Sequence, residues 1–128
     1  MFVSQRPYLP LGKLRQGIMY PKKLEAGEQT EALEHWLNKL GLSYLVDKLD
    51  KEADWENILS LGEMQKIAII RVLMNKPQWV FLDEATSSMD KESEAKSYSL
   101  LLEQSNMTII SIGHGKEIEK YHQRVINV

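Results

Sequence analysis

The chain has 128 residues, of which 43% are hydrophobic and 27% charged, the balance of a globular protein rather than a disordered one. Sixteen Lys and Arg against eighteen Asp and Glu give a net charge of −2, so there is no basic excess to favour nucleic acid or an anionic membrane surface. The absence of cysteine excludes disulfides and thiolate metal sites, His35, His114 and His122 lack metal-ligand spacing, and no apolar run approaches the ~20 residues of a membrane span.

Residues 1–4 read as the tail of a strand. Pro7, Pro10 and Gly12 then argue for a loop. Residues 13–20 form a short helix, stopped before Pro21. Over residues 28–40, Leu33, Trp36, Leu37 and Leu40 make the stripe of an amphipathic helix. Gly41 follows as a C-terminal stop, and Ser43 can cap a second short helix through residue 49. Ser60 begins the clearest helix, with Glu63 completing a capping box. Ile67, Ile70, Leu73 and Met74 are its buried stripe, and residues 75–77 end it. Residues 79–82 are a continuous apolar run halted by Asp83 and Glu84, the pattern of a strand buried on both faces. Asp90 caps a helix over 91–104 with Ala95, Tyr98, Leu101 and Leu102 inward. Residues 107–112 form another buried strand, and residues 124–128 a last short one. Trp36, Trp55 and Trp79 belong to the core or its margin, and the Lys/Glu mixture at 22–31 and 48–56 to a solvated face. The composition shifts near Asp54, from polar and helical to short strands alternating with helices. The order implies an α/β layer with a parallel sheet and a helical insertion.

Three places could carry chemistry. Asp83 and Glu84 stand at the carboxyl end of a strand, where ligands bind in open parallel sheets. Asp83 can hold Mg²⁺, a cation that wants oxygen ligands, and Glu84 can orient or deprotonate a water attacking a phosphate; alternatively both face solvent. The helix start at Ser60 is a ready anion site, and Gly62 would let a phosphate approach the backbone; the alternative is a plain capping box with an incidental glycine. His114, between Gly113 and Gly115, can donate to a phosphate oxygen or be an exposed loop histidine. Gln5 is a weaker candidate, able to reach Mg²⁺ or a water through its carbonyl.

In this order the segments resemble the ATP-binding domain of an ABC transporter. Residues 4–10 (SQRPYLP) resemble the Q-loop, residues 59–66 (LSLGEMQK) the signature motif, residues 79–84 (WVFLDE) Walker B with its glutamate, residues 87–90 (SSMD) the D-loop and residues 111–114 (SIGH) the H-loop. Asp54 and Trp55 before the signature, with RPYLPLG at the Q-loop, are similar to peroxisomal-type fatty-acyl ABC transporters and their bacterial relatives, in which a permease and an ATPase share one chain. The resemblance implies a partial P-loop NTPase (RecA-like) parallel sheet with an α-helical subdomain: strand end and Q-loop over 1–11, helical subdomain over 12–57, and ATPase core over 58–128. It also implies ATP and Mg²⁺ as cofactors of the complete domain. By position, Gln5 would contact Mg²⁺ and the attacking water. Ser60 and Gly62, with Leu61 and Glu63 of the same turn, would meet the nucleotide held by an opposite subunit. Asp83 would bind Mg²⁺ through water, Glu84 would be the general base, Asp90 would shape the dimer contact, and His114 would hold the γ-phosphate.

Three departures qualify this. Lys66 stands where arginine is frequent, which keeps the charge but loses the bidentate fork. Gly115 stands where such relatives usually have arginine. No GxxxxGK[ST] occurs anywhere in the chain, so the phosphate-cradling loop, its lysine and its Mg²⁺-binding hydroxyl are lacking, as is an aromatic to stack on adenine. The expectation is a C-terminal portion of a longer transport ATPase, itself soluble, whose parent works at the cytoplasmic face of a membrane. Its expected partners are the N-terminal half of the domain, a second ATP-binding domain head to tail and a permease, with no nucleic acid. Alone it would not bind ATP tightly. The absent strands should neighbour residues 79–83, and the bare apolar surface should drive self-association. A different class of reading is a non-enzymatic remnant or interaction module that keeps the fold. A chromosome-maintenance or translation ATPase is disfavoured, because only a short helical segment separates Gln5 from Ser60.

Overall fold

The computed structural model describes residues 1–23, 29–113 and 116–126, excepting the side chains of residues 116 and 117. In chain order the elements are β1 (Phe2–Val3), β2 (Gly12–Lys13), α1 (Leu14–Met19), α2 (Thr30–Lys39), a 3-10 turn (Ser43–Lys48), β3 (Glu52–Ala53), α3 (Trp55–Ile58), α4 (Leu61–Asn75), β4 (Trp79–Asp83), α5 (Lys91–Leu102), β5 (Thr108–Ile112) and a second 3-10 turn (Lys116–Tyr121). The expected α/β class with a parallel sheet is what forms.

The sheet has the order β1-β4-β5, and both pairings are parallel. Phe2 lies beside Phe81 and Phe81 beside Ile110, while Asp83 lies beside Ile112. β4 therefore has a neighbour on each side and no free edge, so any further strand must add outside β1 or β5. This corrects the expectation that absent strands adjoin residues 79–83. A groove of about 730 Å³ runs along β5, lined by Met107, Ile110, Ser111, Tyr121 and Ile126 among others.

One buried cluster runs from Val3 through α1, α2 and α4 to Leu101. α4 is its axis. Ile67, Ile69, Ile70, Val72 and Leu73 are all fully buried, because the helix is surrounded rather than laid on a surface; Met74 is only partly buried. Lys76 closes α4 in a left-handed conformation, its N–H donating to the Val72 carbonyl. In the helical part, Leu33, Leu37 and Leu40 face the core as the spacing predicts, and Gly41 takes a φ of +75°, which glycine adopts without a Cβ penalty. The Arg15 guanidinium is buried, and it grips Asp50 through both carboxylate oxygens (3.0 and 2.9 Å) and Thr30 Oγ1 (2.7 Å). The Trp55 indole donates to the Gly12 and Lys51 carbonyls at 3.1 and 3.3 Å, next to the small β2–β3 ladder.

The two expectations of strands buried on both faces fail for one reason. Residues 79–82 read as buried on both faces, yet only Val80 and Leu82 are buried; Trp79 is 53% and Phe81 41% exposed. β5 likewise alternates between exposed and half-buried rather than being buried. A continuous apolar run records two apolar faces and does not say what covers them. Here α4 and α5 supply cover for one face, while among the described residues Phe2, Trp79, Phe81, Ile110 and Ile112 on the other are exposed. In α5, Leu100 rather than Leu102 turns inward, with Leu102 54% exposed. Ser43 caps nothing: it lies inside the 3-10 turn, whose first carbonyl belongs to Leu42. Residues 124–126 form no strand, and residues 127 and 128 lie outside the described residues.

Candidate functional site

The candidate residues converge where the carboxyl ends of β1 and β4 meet the start of α4. The α4 capping box is complete: the Glu63 N–H donates to Ser60 Oγ at 3.1 Å, and the Ser60 N–H donates to Glu63 Oε1 at 2.9 Å. The box leaves the Leu61 and Gly62 amides as the first-turn N–H groups it does not use, at the positive end of a 15-residue helix. Glu63 is doubly engaged, since its other oxygen accepts a short hydrogen bond from the Tyr44 hydroxyl. Burial pushes the Tyr44 phenol up to about 12, reinforced by Glu63. For Glu63 burial works upward, but the hydrogen bonds from Tyr44 and Ser60 outweigh it and hold the carboxyl below its usual range.

Gly62 answers a different need from the one its sequence position suggests. A Cβ there would sit 2.7 Å from the Ser88 carbonyl oxygen and 3.4 Å from its carbon. The backbone of the 87–90 turn thus occupies the Cβ side of Gly62.

Asp83 and Glu84 are half-buried at the end of β4. Glu84 has a φ of +51°, uncommon for a residue with a Cβ. Its N–H donates to the Ile112 carbonyl at 2.8 Å, and its carbonyl accepts from the Ser87 N–H at 3.2 Å. The chain thus leaves the sheet sharply after Asp83 while staying hydrogen-bonded to β5. Thr86, buried in the turn, donates to Glu94 at 2.5 Å. Asp90 accepts from the Ser93 N–H at 2.7 Å and caps α5, a bond that holds its carboxyl below the usual range.

Gln5 reaches the same place. Its Nε2 donates to Ser87 Oγ at 3.3 Å. Gln5, Gly62 and Glu84 therefore meet at residues 87 and 88 of the turn that leads from Asp83 to Asp90, while Ser60, Leu61 and Glu63 stand with Gly62 in the first turn of α4. His114 lies outside the described residues, although Gly113 directly follows β5. His122, which lacks metal-ligand spacing in the sequence, bonds Ser111 Oγ at 2.7 Å and the Ile118 carbonyl at 2.7 Å, and Ser111 also meets the Tyr98 hydroxyl at 2.8 Å.

Two polar residues of α4 escaped sequence reasoning. Gln65 is fully buried and bonds both Gln5 and Ser88. The Arg71 guanidinium, 8% exposed, donates to the Gly17 carbonyl at 2.7 Å and to the Tyr8 carbonyl. Burial pushes its pKa down to about 10. The available signal was a polar residue inside a helix rich in isoleucine, since such a group is buried only when partnered.

Comparisons with known proteins bear on the same stretch. The ABC transporter family profile matches residues 3–87. An uncharacterized ABC transporter ATP-binding protein of Haemophilus influenzae is 44% identical over 125 residues, covering 97% of this chain and 21% of that protein. The human lysosomal cobalamin transporter ABCD4 is 35% identical over 137 residues, covering 100% of this chain and 22% of that one. A bacterial Atm1-family ABC exporter with ATP bound superimposes with a TM-score of 0.70 and 25% identity, over 88% of this chain and 20% of that one. The chain spans about a fifth of the length of these relatives.

Proposed function

Since the chain belongs to the ABC transporter family, we propose that it supplies the signature and water-activating part of an ATP-binding domain whose parent couples ATP hydrolysis to transport. The observation that supports this most is the convergence of Gln5, the α4 start and the Asp83–Glu84 strand end on one turn, 87–90. The proposed parts are a strand end and Q-loop over 1–11, a helical subdomain over 12–57 that meets a permease, and a core portion over 58–128.

Each side chain then has a task. Glu84, turned out of the sheet by its left-handed backbone, accepts the proton of the attacking water. Asp83 suits Mg²⁺ through water, because such an ion takes one or two carboxylates and fills its other positions with phosphate oxygens and waters. Gln5 orients the same water. The Leu61 and Gly62 amides face the phosphates of a nucleotide seated on an opposite domain, and His114 donates to its terminal phosphate. When bound, Mg²⁺ neutralises charge on the transferring phosphoryl group.

What this chain lacks is the cradle. No GxxxxGK[ST] is present, and positioning plus charge neutralisation is most of phosphoryl-transfer catalysis. We place the loop-bearing half beyond the open edge of β5, with its helix over the bare face of Phe2, Trp79, Phe81, Ile110 and Ile112. The partners are that half, a second ATP-binding domain and a permease at the cytoplasmic membrane face. Without that half, the bare face promotes self-association. The missing cradle also favours a second reading, a remnant that keeps the fold without turnover. Mixing the chain with a separately produced loop-bearing half separates the two. The first reading predicts ATP turnover that falls about 10²–10⁴-fold in Glu84→Gln. No turnover in a mixture that demonstrably binds ATP supports the second.

A further inference from the structure

Gln65 is buried to 0% exposure, and it makes three hydrogen bonds to two loops distant in sequence. Its Nε2 donates to the Gln5 carbonyl at 2.8 Å and to Ser87 Oγ at 3.3 Å. Its Oε1 accepts from the Ser88 N–H at 2.9 Å. The amide orientation follows from its partners: a backbone carbonyl can only accept and a backbone N–H can only donate. A side chain here must therefore present a donor and an acceptor together, at the reach of two methylenes. Ionised glutamate offers the acceptor alone, methionine offers neither hydrogen bond at strength, and asparagine is one methylene short.

We propose that Gln65 is a positioning residue that locks the Gln5 loop and the 87–90 turn into one unit with α4, so that a displacement of Gln5 is carried to Asp90. Separating the loops would leave a buried amide without partners, which the buried site penalises. Gly62 completes the lock from one turn earlier, its bare Cα against the Ser88 carbonyl. The functional sense of the lock rests on the proposed reading, in which Gln5 faces the reacting water and Asp90 an opposite domain. The lock itself does not, and it can be tested without nucleotide.

The test is solution NMR on the 128-residue chain and two variants. Gln65→Met removes both functions, and the Ser88 amide should exchange with solvent about tenfold faster or more, the loss of one buried hydrogen bond, while the Gln5 carbonyl resonance shifts. Gln65→Glu, read at a pH where its own side-chain carboxyl resonance shows it ionised, keeps the acceptor and loses the donor. It should leave Ser88 exchange within about threefold of the parent yet shift the Gln5 carbonyl as Gln65→Met does. That split distinguishes a lock from general support of the fold, because a merely structural loss would move both readouts together. Should Gln65→Met unfold the chain, the Gln65→Glu split decides alone. Equal effects of the two variants at both positions, or Ser88 exchange unchanged in a folded Gln65→Met, would overturn the proposal. Failure to bind ATP would leave it standing, and its own failure would leave the nucleotide reading standing.

Discussion

The Ser88 carbonyl oxygen lies 2.7 Å from where a Cβ on Gly62 would be. Two roles for this glycine thus make opposite predictions. If it served only the approach of a ligand, Gly62→Ala would stabilise the ligand-free chain by ~1 kcal/mol through helix propensity. Because the contact is with backbone, which cannot swing aside, Gly62→Ala should instead destabilise by about 1–2 kcal/mol. Urea denaturation of the two chains distinguishes the signs.

The Tyr44–Glu63 pair makes stability pH-dependent at both ends. The Glu63 carboxyl is held below its ordinary value of 4.5. Its contribution is therefore present above about pH 4.5 and lost as the pH falls through the lowered folded-state value. The Tyr44 phenol is raised from 10.0 to about 12, so its contribution is whole below pH 10 and lost as the pH rises from 10 toward 12. Denaturation midpoints should fall in both ranges, with Glu63→Gln flattening the acid limb and Tyr44→Phe the alkaline one. Unchanged limbs in these variants would show the pair to be incidental.

Arg71 ties α4 to both Tyr8, at the exit of the Gln5 loop, and Gly17 in α1. Arg71→Met keeps the stem and deletes the donors, leaving the Tyr8 carbonyl without its guanidinium and Gly17 with only the 3.4 Å bond from the Tyr20 N–H. A loss of about 2–4 kcal/mol in thermal or urea unfolding is expected. Arg71→Lys should recover only part of it, since an ammonium cannot reproduce the fork.

The bare sheet face makes a prediction about association. Phe2, Phe81 and Ile110 form one row across three strands, 64%, 41% and 39% exposed. Light scattering should show a mass that grows with concentration, and Trp79→Lys with Phe81→Lys should reduce it. Stability should change little, because both side chains are exposed. A constant monomer mass for the parent chain would contradict this.

Local signals in the sequence carried far. Ser60 and Glu63 announced the capping box, Asp90 the start of α5, and Gly41 the end of α2, because each acts on backbone groups within a few residues. Asp83 and Glu84 marked the strand end by the abruptness of the change in polarity. What distant segments supply was not legible. Nothing in residues 79–82 says that one face goes uncovered, and neither the Ser88 carbonyl against Gly62 nor the partners of Gln65 follow from spacing. Leu100 and Leu102 show the same limit at short range: both are leucines near a helix end, and the packing of α5 on its neighbours chose between them.

In the function we propose, this chain holds the signature turn and the water-activating carboxylates but not the phosphate seat. Titration calorimetry of the purified chain with Mg·ATP tests it most directly. No saturable binding is expected at micromolar nucleotide, and binding should appear once a loop-bearing half is added. Saturable micromolar binding to the 128-residue chain alone would contradict it.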